Sequence, residues 1–289
     1  MPDLLSPYTP GVAATFTPGR ERQVGMLERV LVGVAGQSTF EGRVQVLQGA
    51  RGVGKTSVLR AVERTARRLG LSTVFVTAGA DGAMPAVGSG LHQCMRELSP
   101  SGLSDQFLAA ISSIGVKLGP AEVSVGIRDR DRAPEPAVAG LKRAVADVAR
   151  AAQGANRGLI IFIDEFQDCP GTEIRALATA WQELQGEAAF PDAGPLPAAL
   201  VTAGMSNTQD RITEAASFAE RFRFESLGNL EDGAATQALL QPAVELGVTW
   251  DEGAVALVLE RAAGYPYFLQ LYAHENLGRR APTSRGPYR

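Results

Sequence analysis

The run Gly49-Ala50-Arg51-Gly52-Val53-Gly54-Lys55-Thr56 constrains this chain more than any other stretch. It follows directly on Val44, Val46 and Leu47, which read as a short buried strand, and it opens an amphipathic helix. The spacing G-x-x-x-x-G-K-T between a strand and a helix is that of a phosphate-binding loop. Its glycines let the backbone fold into a nest of N–H donors, and the following helix adds its positive N-terminus. Lys55 then reaches the β- and γ-phosphates, while the Thr56 hydroxyl is placed for Mg²⁺. The candidate nucleotide contacts are therefore Gly49, Ala50, Arg51, Gly52, Val53, Gly54, Lys55, Thr56 and Ser57. Val58, Leu59, Val62, Ala66 and Leu69 take one helix face and Arg60, Glu63, Arg64, Arg67 and Arg68 the other. Glu63 and Arg67 stand at i,i+4, so the arginines read as a solvated face.

A second stretch supplies the partner chemistry. Leu159-Ile160-Ile161-Phe162-Ile163 is a continuous apolar run ending in Asp164-Glu165, as expected of a parallel strand buried on both faces. This is a Walker B pattern. Such a strand delivers Asp164 beside the phosphate loop, where it serves Mg²⁺, and Glu165 where it orients a water for attack on the γ-phosphate. Acids after a strand are common alone; coupled to the glycine-rich loop they become specific.

With 289 residues, 45% of them hydrophobic, the chain has material for one sizeable α/β domain and a small second one. Its net charge of −3 excludes a global basic field that would recruit DNA or an acidic membrane. Cys94 and Cys169 are too few for a disulfide framework or zinc site and suit a reducing cytoplasm. The longest aliphatic run, Leu159 to Ile163, is far too short to span a bilayer, and no N-terminal apolar segment precedes it, so a cytoplasmic protein is expected.

In chain order, residues 1–22, rich in proline and glycine with Tyr8 and Phe16 between, read as an extended arm that packs on something. Residues 23–228 form the core. Within it the alternation Ile114, Val116, Leu118, then Val123, Val125, Ile127 around Gly119-Pro120 predicts a β-hairpin over about 111–127. A further strand, Ala198 to Ala203, ends at Gly204-Met205-Ser206-Asn207, where Ser206 and Asn207 are candidate γ-phosphate sensors. Alternating aromatics at 218, 222 and 224 announce a last strand, with Arg221 at its start. Residues 229–275 read as a helical lid, with Asn229 as a cap, Pro266 in a first helical turn, and Tyr265, Tyr267 and Phe268 as lid core. Residues 276–289 predict a disordered basic tail. His92 and His274 have no partner that the sequence reveals.

These residues resemble the AAA+ branch of P-loop ATPases, especially bacterial origin-recognition-like members that grade into STAND signalling ATPases. The resemblance covers roughly residues 7 to 274 and rests on Pro7-Tyr8-Thr9-Pro10-Gly11, Gly19-Arg20-Glu21, Gly49 to Thr56, Leu159 to Glu165, Ser217 to Phe224 and Gly264-Tyr265-Pro266-Tyr267-Phe268. It implies a three-layer α/β sandwich whose parallel sheet has the order 5-1-4-3-2, with a helical lid. It implies ATP and Mg²⁺ as ligands, Arg20 as a contact to the base, and Pro266 over the nucleotide. Arg221 resembles an arginine finger serving a neighbouring subunit, which implies self-association. Two departures stand out. Gly264-Tyr265-Pro266 occupies the place of the second sensor arginine, and the winged-helix domain of many relatives does not follow, leaving DNA binding without its usual module. Three functions stay open: an Mg²⁺-dependent ATPase whose lid moves against the core, a slow nucleotide-gated switch or scaffold with a protein partner, and a DNA-associated helper ATPase, the least favoured.

Overall fold

The computed structural model describes residues 6–79, 81–100, 102–116, 137–155, 157–190, 192, 194–216 and 219–278. The chain runs α1 (Glu21–Gln37), β1 (Val44–Gln48), α2 (Lys55–Arg68), β2 (Ser72–Thr77), α3 (Met84–Leu98), α4 (Asp105–Ser113), α5 (Ala137–Gly154), β3 (Leu159–Asp164), α6 (Gly171–Ala188), β4 (Ala198–Gly204), α7 (Thr208–Ala215) and β5 (Phe222–Ser226). Three further helices follow: α8 (Asp232–Glu245), α9 (Glu252–Ala262) and α10 (Pro266–Gly278). The five strands are parallel in the order β2-β3-β4-β1-β5, the arrangement expected from the resemblance, with Ala198–Gly204 inserted between the two motif strands.

The unbroken apolar run of β3 is explained by two cores. Leu159, Ile161 and Ile163 enter the layer formed with α3 to α6, whereas Ile160 and Phe162 enter the layer formed with α1 and α2. Side chains alternate across a strand, so a strand sandwiched between helices needs apolar residues at every position. Because all strands run the same way, β1, β3 and β4 end together, and Gly49 N–H donates to Gly204 O at 3.3 Å across that edge. Binding crevices of open parallel sheets lie there.

The helices α8, α9 and α10 carry a separate small core, and Tyr8 of the arm is buried at its centre. The Tyr8 hydroxyl donates to Leu239 O and accepts from Trp250 Nε1 at 3.1 Å. Its carbonyl stands 2.9 Å from His274 Nδ1, so His274 does have a partner, one that only folding reveals. The arm then crosses to the core, where Ala14 N–H donates to Ser57 Oγ at 3.0 Å and Arg64 Nη2 donates to Thr15 O at 3.0 Å. It straps the helical subdomain to α2.

Several expectations are corrected. Residues 111 to 113, assigned to the start of a hairpin, are the last turn of α4, which Ser104 caps by accepting from Phe107 N–H at 3.2 Å. Ile114 is the C-cap and Gly115 and Val116 close back on that turn; 117–127 lies outside the described residues, as do most of the 276–289 tail and all of 128–136. Helix α10 runs to Gly278, into the stretch expected to be tail. Asn229 does not cap α8, whose N-cap is Glu231; its side chain donates to Ala263 O at 3.0 Å instead. Among the described residues no helix is long and apolar enough to cross a membrane. Cys94 and Cys169 are free and buried, and burial pushes their thiols up to about 11 and about 12, leaving them unreactive near neutral pH.

Candidate functional site

The phosphate loop leaves β1 at Gln48 and enters α2 at Lys55, with Gly52 at φ 80° and Gly54 at φ 94°. Both lie in the left-handed region that glycine enters freely. At Gly52 space matters as well, because a Cβ there would stand 2.6 Å from the Tyr265 hydroxyl and 2.9 Å from Tyr267 Cβ. No side chain caps the N-terminus of α2. Its first N–H groups, which have no partner within the helix, are thus open to an anion.

Lys55 is buried, and its ammonium donates to Gly49 O at 3.0 Å and Ala50 O at 2.9 Å, with Met205 Sδ at 4.0 Å. Burial lowers its pKa, while the carboxylates of Glu165 and Asp164 work the other way. Thr56 Oγ1 donates to Asp164 Oδ2 at 2.6 Å, joining the loop to the end of β3. Glu165 N–H donates to the other oxygen, Asp164 Oδ1, at 3.0 Å. Burial raises the Asp164 pKa against the opposing pull of these two hydrogen bonds. An ionised carboxylate held in so dry a place wants a counter-charge, and with the Thr56 hydroxyl it offers the hard oxygens that Mg²⁺ prefers. Among the described residues no group of three or more His, Cys, Asp or Glu is arranged to hold a metal.

The raised pKa has a consequence for stability. Ionisation of Asp164 penalises the folded protein at neutral pH, and protonation removes the penalty as pH falls through the folded pKa. Asp164→Asn, whose amide oxygen keeps the acceptor for Glu165 N–H while its NH2 donates to the Thr56 hydroxyl oxygen in place of the bond it received, should therefore melt about 2–4 °C higher than the parent at pH 7.5 without ligand. The gap should close as the solution is acidified through the carboxylate range. Thermal unfolding across pH checks it, and a variant that melts lower at pH 7.5 contradicts the argument.

Glu165 follows at φ 51° and ψ 40°, a left-handed conformation that costs a non-glycine residue about 1 kcal/mol or more. Its carboxylate accepts from Gln167 Nε2 at 2.8 Å. Facing it across the crevice is the helical subdomain. The Tyr265 hydroxyl donates to Arg51 O, and Tyr265, Pro266 and Tyr267 at the start of α10 wall a cavity of about 690 Å³. The other walls are residues 11–14 and 16–18 of the arm, Arg20, Arg51 to Ser57 and Glu165, with Leu230, Ala238 and Gln270 completing the side of the helical subdomain.

Most expected contacts thus share one cavity: Arg20, Arg51, Gly52, Val53, Gly54, Lys55, Thr56, Ser57, Glu165 and Pro266. Others do different work. The carbonyls of Gly49 and Ala50 hold Lys55 from behind. Arg20 lines the cavity but its guanidinium donates to Val53 O at 3.0 Å and Gly228 O at 2.5 Å, clamping the loop to the segment that leaves β5. The Ser57 hydroxyl receives the arm. Tyr267 and Phe268, expected in the lid core, are 39% and 38% exposed and cluster with Tyr265 at the cavity rim. Ser206 and Asn207 are exposed, and the β4 exit touches the site through Met205 instead. Arg221 is remote: β5 pairs in parallel with β1, Phe222 opposite Val44, so Arg221 sits where the strands begin, roughly 15 Å along the sheet from the loop. Its Nη1 donates to Gln185 Oε1 at 2.8 Å.

A family model for the AAA ATPase domain matches residues 17–187, more than half of the chain and both motif strands. The chain belongs to the AAA ATPase domain family. No curated protein matches its sequence. Among solved structures, this AAA ATPase domain is similar to the ORC2 protein of Aeropyrum pernix in its ADPNP-ADP complexes, with TM-score 0.58 and 16% identity over 95% of this chain and 68% of that one. It is similar to Cdc6p of Pyrobaculum aerophilum, with TM-score 0.55 and 13% identity over 92% of this chain and 62% of that one. The ORC1 protein of A. pernix in complex with DNA matches with TM-score 0.51 and 21% identity, over 94% and 64%. These likenesses establish a shared fold, and the chain spans about two thirds of each neighbour's length.

Two features of the AAA ATPase domain's site went unread in the sequence. Gln167 stands two residues after Glu165 in a turn without periodicity, and Met205 is an apolar residue acting through its backbone. Only the glutamine's nearness to two acids was a signal.

Proposed function

We propose that this AAA ATPase domain binds Mg²⁺-ATP and splits it, and that hydrolysis moves the helical lid against the α/β core. What supports this reading most is the convergence of Lys55, Thr56 and Glu165 on one cavity whose opposite wall is the lid's Tyr265-Pro266-Tyr267. The amides of the glycine loop and the Lys55 ammonium bind the β- and γ-phosphates, and Glu165 orients water for in-line attack. Thr56 and Asp164 would hold Mg²⁺, which when bound supplies positive charge against the phosphate oxygens. Since phosphoryl transfer is mostly positioning and charge stabilisation, this small set suffices. Arg221, remote from its own cavity, would serve the γ-phosphate of a second copy.

A second reading is a slow nucleotide-gated switch. It is favoured by the ties that hold the lid down: Tyr265 to the phosphate loop, and the arm anchored through Tyr8. One preparation separates the two. Multiple turnovers of ATP per minute support the ATPase; co-purified ADP with negligible turnover favours the switch. For Arg221, light scattering should show self-association with a non-hydrolysable ATP analogue, lost in Arg221→Ala; a monomer that hydrolyses normally contradicts the role in trans.

A further inference from the structure

Glu165 could not work as a water-orienting base if its carboxylate swung freely, and its own backbone does not restrain it. The restraint comes from the turn that follows. Residues 166 to 168 form a single 3₁₀ turn, closed by Asp168 N–H to Glu165 O at 2.8 Å and Cys169 N–H to Phe166 O at 3.2 Å. Phe166 and Cys169 are both buried in the core layer with α6 and α7, so the turn is fixed at two points. Between these anchors Gln167 points back toward the sheet.

Its amide is used at both ends. Nε2 donates to Glu165 Oε2 at 2.8 Å, and Oε1 accepts from the N–H of Met205, the residue after β4, at 2.9 Å. The orientation of the amide follows from its neighbours, because a backbone N–H can only donate and a carboxylate can only accept. The space for it is reserved: a Cβ on Gly204 would lie 3.0 Å from Gln167 Oε1 and 2.2 Å from Thr208 Oγ1. Any side chain at 204 would push on this amide. Met205 in turn places its sulfur 4.0 Å from Lys55 Nζ. An unbroken path of contacts thus runs from the phosphate-binding ammonium through the β4 exit and Gln167 to the Glu165 carboxylate.

We propose that Gln167 is the positioning residue for Glu165, and that it takes its own position from the end of β4. A shift of Met205, as Lys55 engages a γ-phosphate, is carried by the amide to Glu165. Gln167 touches neither substrate nor metal in this role. It sets the direction of a carboxylate that does, and because that direction matters only while water is attacking, the effect belongs to turnover and not to nucleotide affinity. The inference rests on the ATPase reading above.

Two substitutions separate the halves of the amide. Gln167→Met keeps the length and removes both hydrogen bonds. Gln167→Glu keeps the acceptor for Met205 N–H but sets a second carboxylate against Glu165. Both are expected to bind ADP within two-fold of the parent and to melt within a few degrees of it. Turnover should fall about tenfold or more in Gln167→Met, and at least as far in Gln167→Glu, with KM for ATP unchanged. A readout apart from turnover is the trapping of ADP with tetrafluoroaluminate, a mimic of the transferring phosphoryl group, which should weaken about tenfold in both. Turnover and trapping in Gln167→Met within two-fold of the parent would overturn the positioning role, as would a parallel loss of ADP affinity and stability, which marks a merely structural residue. A parent protein that neither splits ATP nor traps the mimic, while still binding ADP, removes the ATPase reading first and this inference with it.

Discussion

Lys55→Ala is expected to lose nucleotide binding by on the order of 10²–10³-fold, for ATP and ADP alike. The argument begins with what the ammonium does before any phosphate arrives. It is buried, it donates to the carbonyls of Gly49 and Ala50, and it thereby shapes the loop whose amides face the ligand. Alanine removes the charge proposed to meet the phosphates and the internal template of the loop together, and charge-assisted hydrogen bonds of this kind each contribute about 1.5–3 kcal/mol. The fold should survive. Burial already holds the Lys55 pKa down, so the ammonium is a strained guest in the unliganded site, and its loss offsets the two carbonyls left without a donor. Titration calorimetry with ADP, beside a melting curve, tests both halves. Tight ADP binding by a folded Lys55→Ala protein would contradict the site.

Glu165→Gln is expected to show the opposite separation, with ATP binding kept within a few-fold and turnover lowered by on the order of 10²–10³. The substitution preserves the side chain's length and an acceptor for Gln167 Nε2, so the constellation stays assembled. What disappears is the negative charge and proton-accepting capacity beside the attacking water. The left-handed backbone at Glu165 reinforces the expectation, since a strained conformation persists only where the surrounding structure holds it in place. Steady-state turnover at saturating ATP decides, and equal rates for parent and variant would remove Glu165 from the chemistry. Together the two variants divide the site into a part that holds phosphate and a part that acts on it.

Legibility from the sequence followed the range of the interactions. The phosphate loop was legible because glycines, lysine and threonine at fixed spacing act through one continuous stretch of backbone. The β3 run was legible because a strand buried on both faces must be apolar throughout. The strand order came only through resemblance, since no hydrophobic pattern states which strand lies beside which. The misassigned start of the hairpin has a local cause: the Ile114, Val116, Leu118 alternation has the period of a strand, whereas residues 111–113 close a helix that Ser104 caps.

Side-chain roles were less legible than backbone. Arg20 read as a ligand contact, yet it donates to two carbonyls, one of them on Gly228, 208 residues away. Ser57 reads as part of the phosphate loop, yet its hydroxyl receives the arm at Ala14. Tyr8, buried in the small helical core, meets the exposed His274 through its carbonyl across 266 residues, a contact that neither segment announces alone.

The sequence by itself determined where the glycine-rich loop turns between β1 and α2 and that β3 is buried on both faces, because spacing and periodicity act within a few residues. Tertiary structure alone decided that the arm ties the helical subdomain to the core, that Tyr265 rests on the phosphate loop, and that Gln167 joins Glu165 to β4. Those contacts depend on which surfaces fold against each other, and a hydrogen bond between distant residues leaves no periodic trace in either.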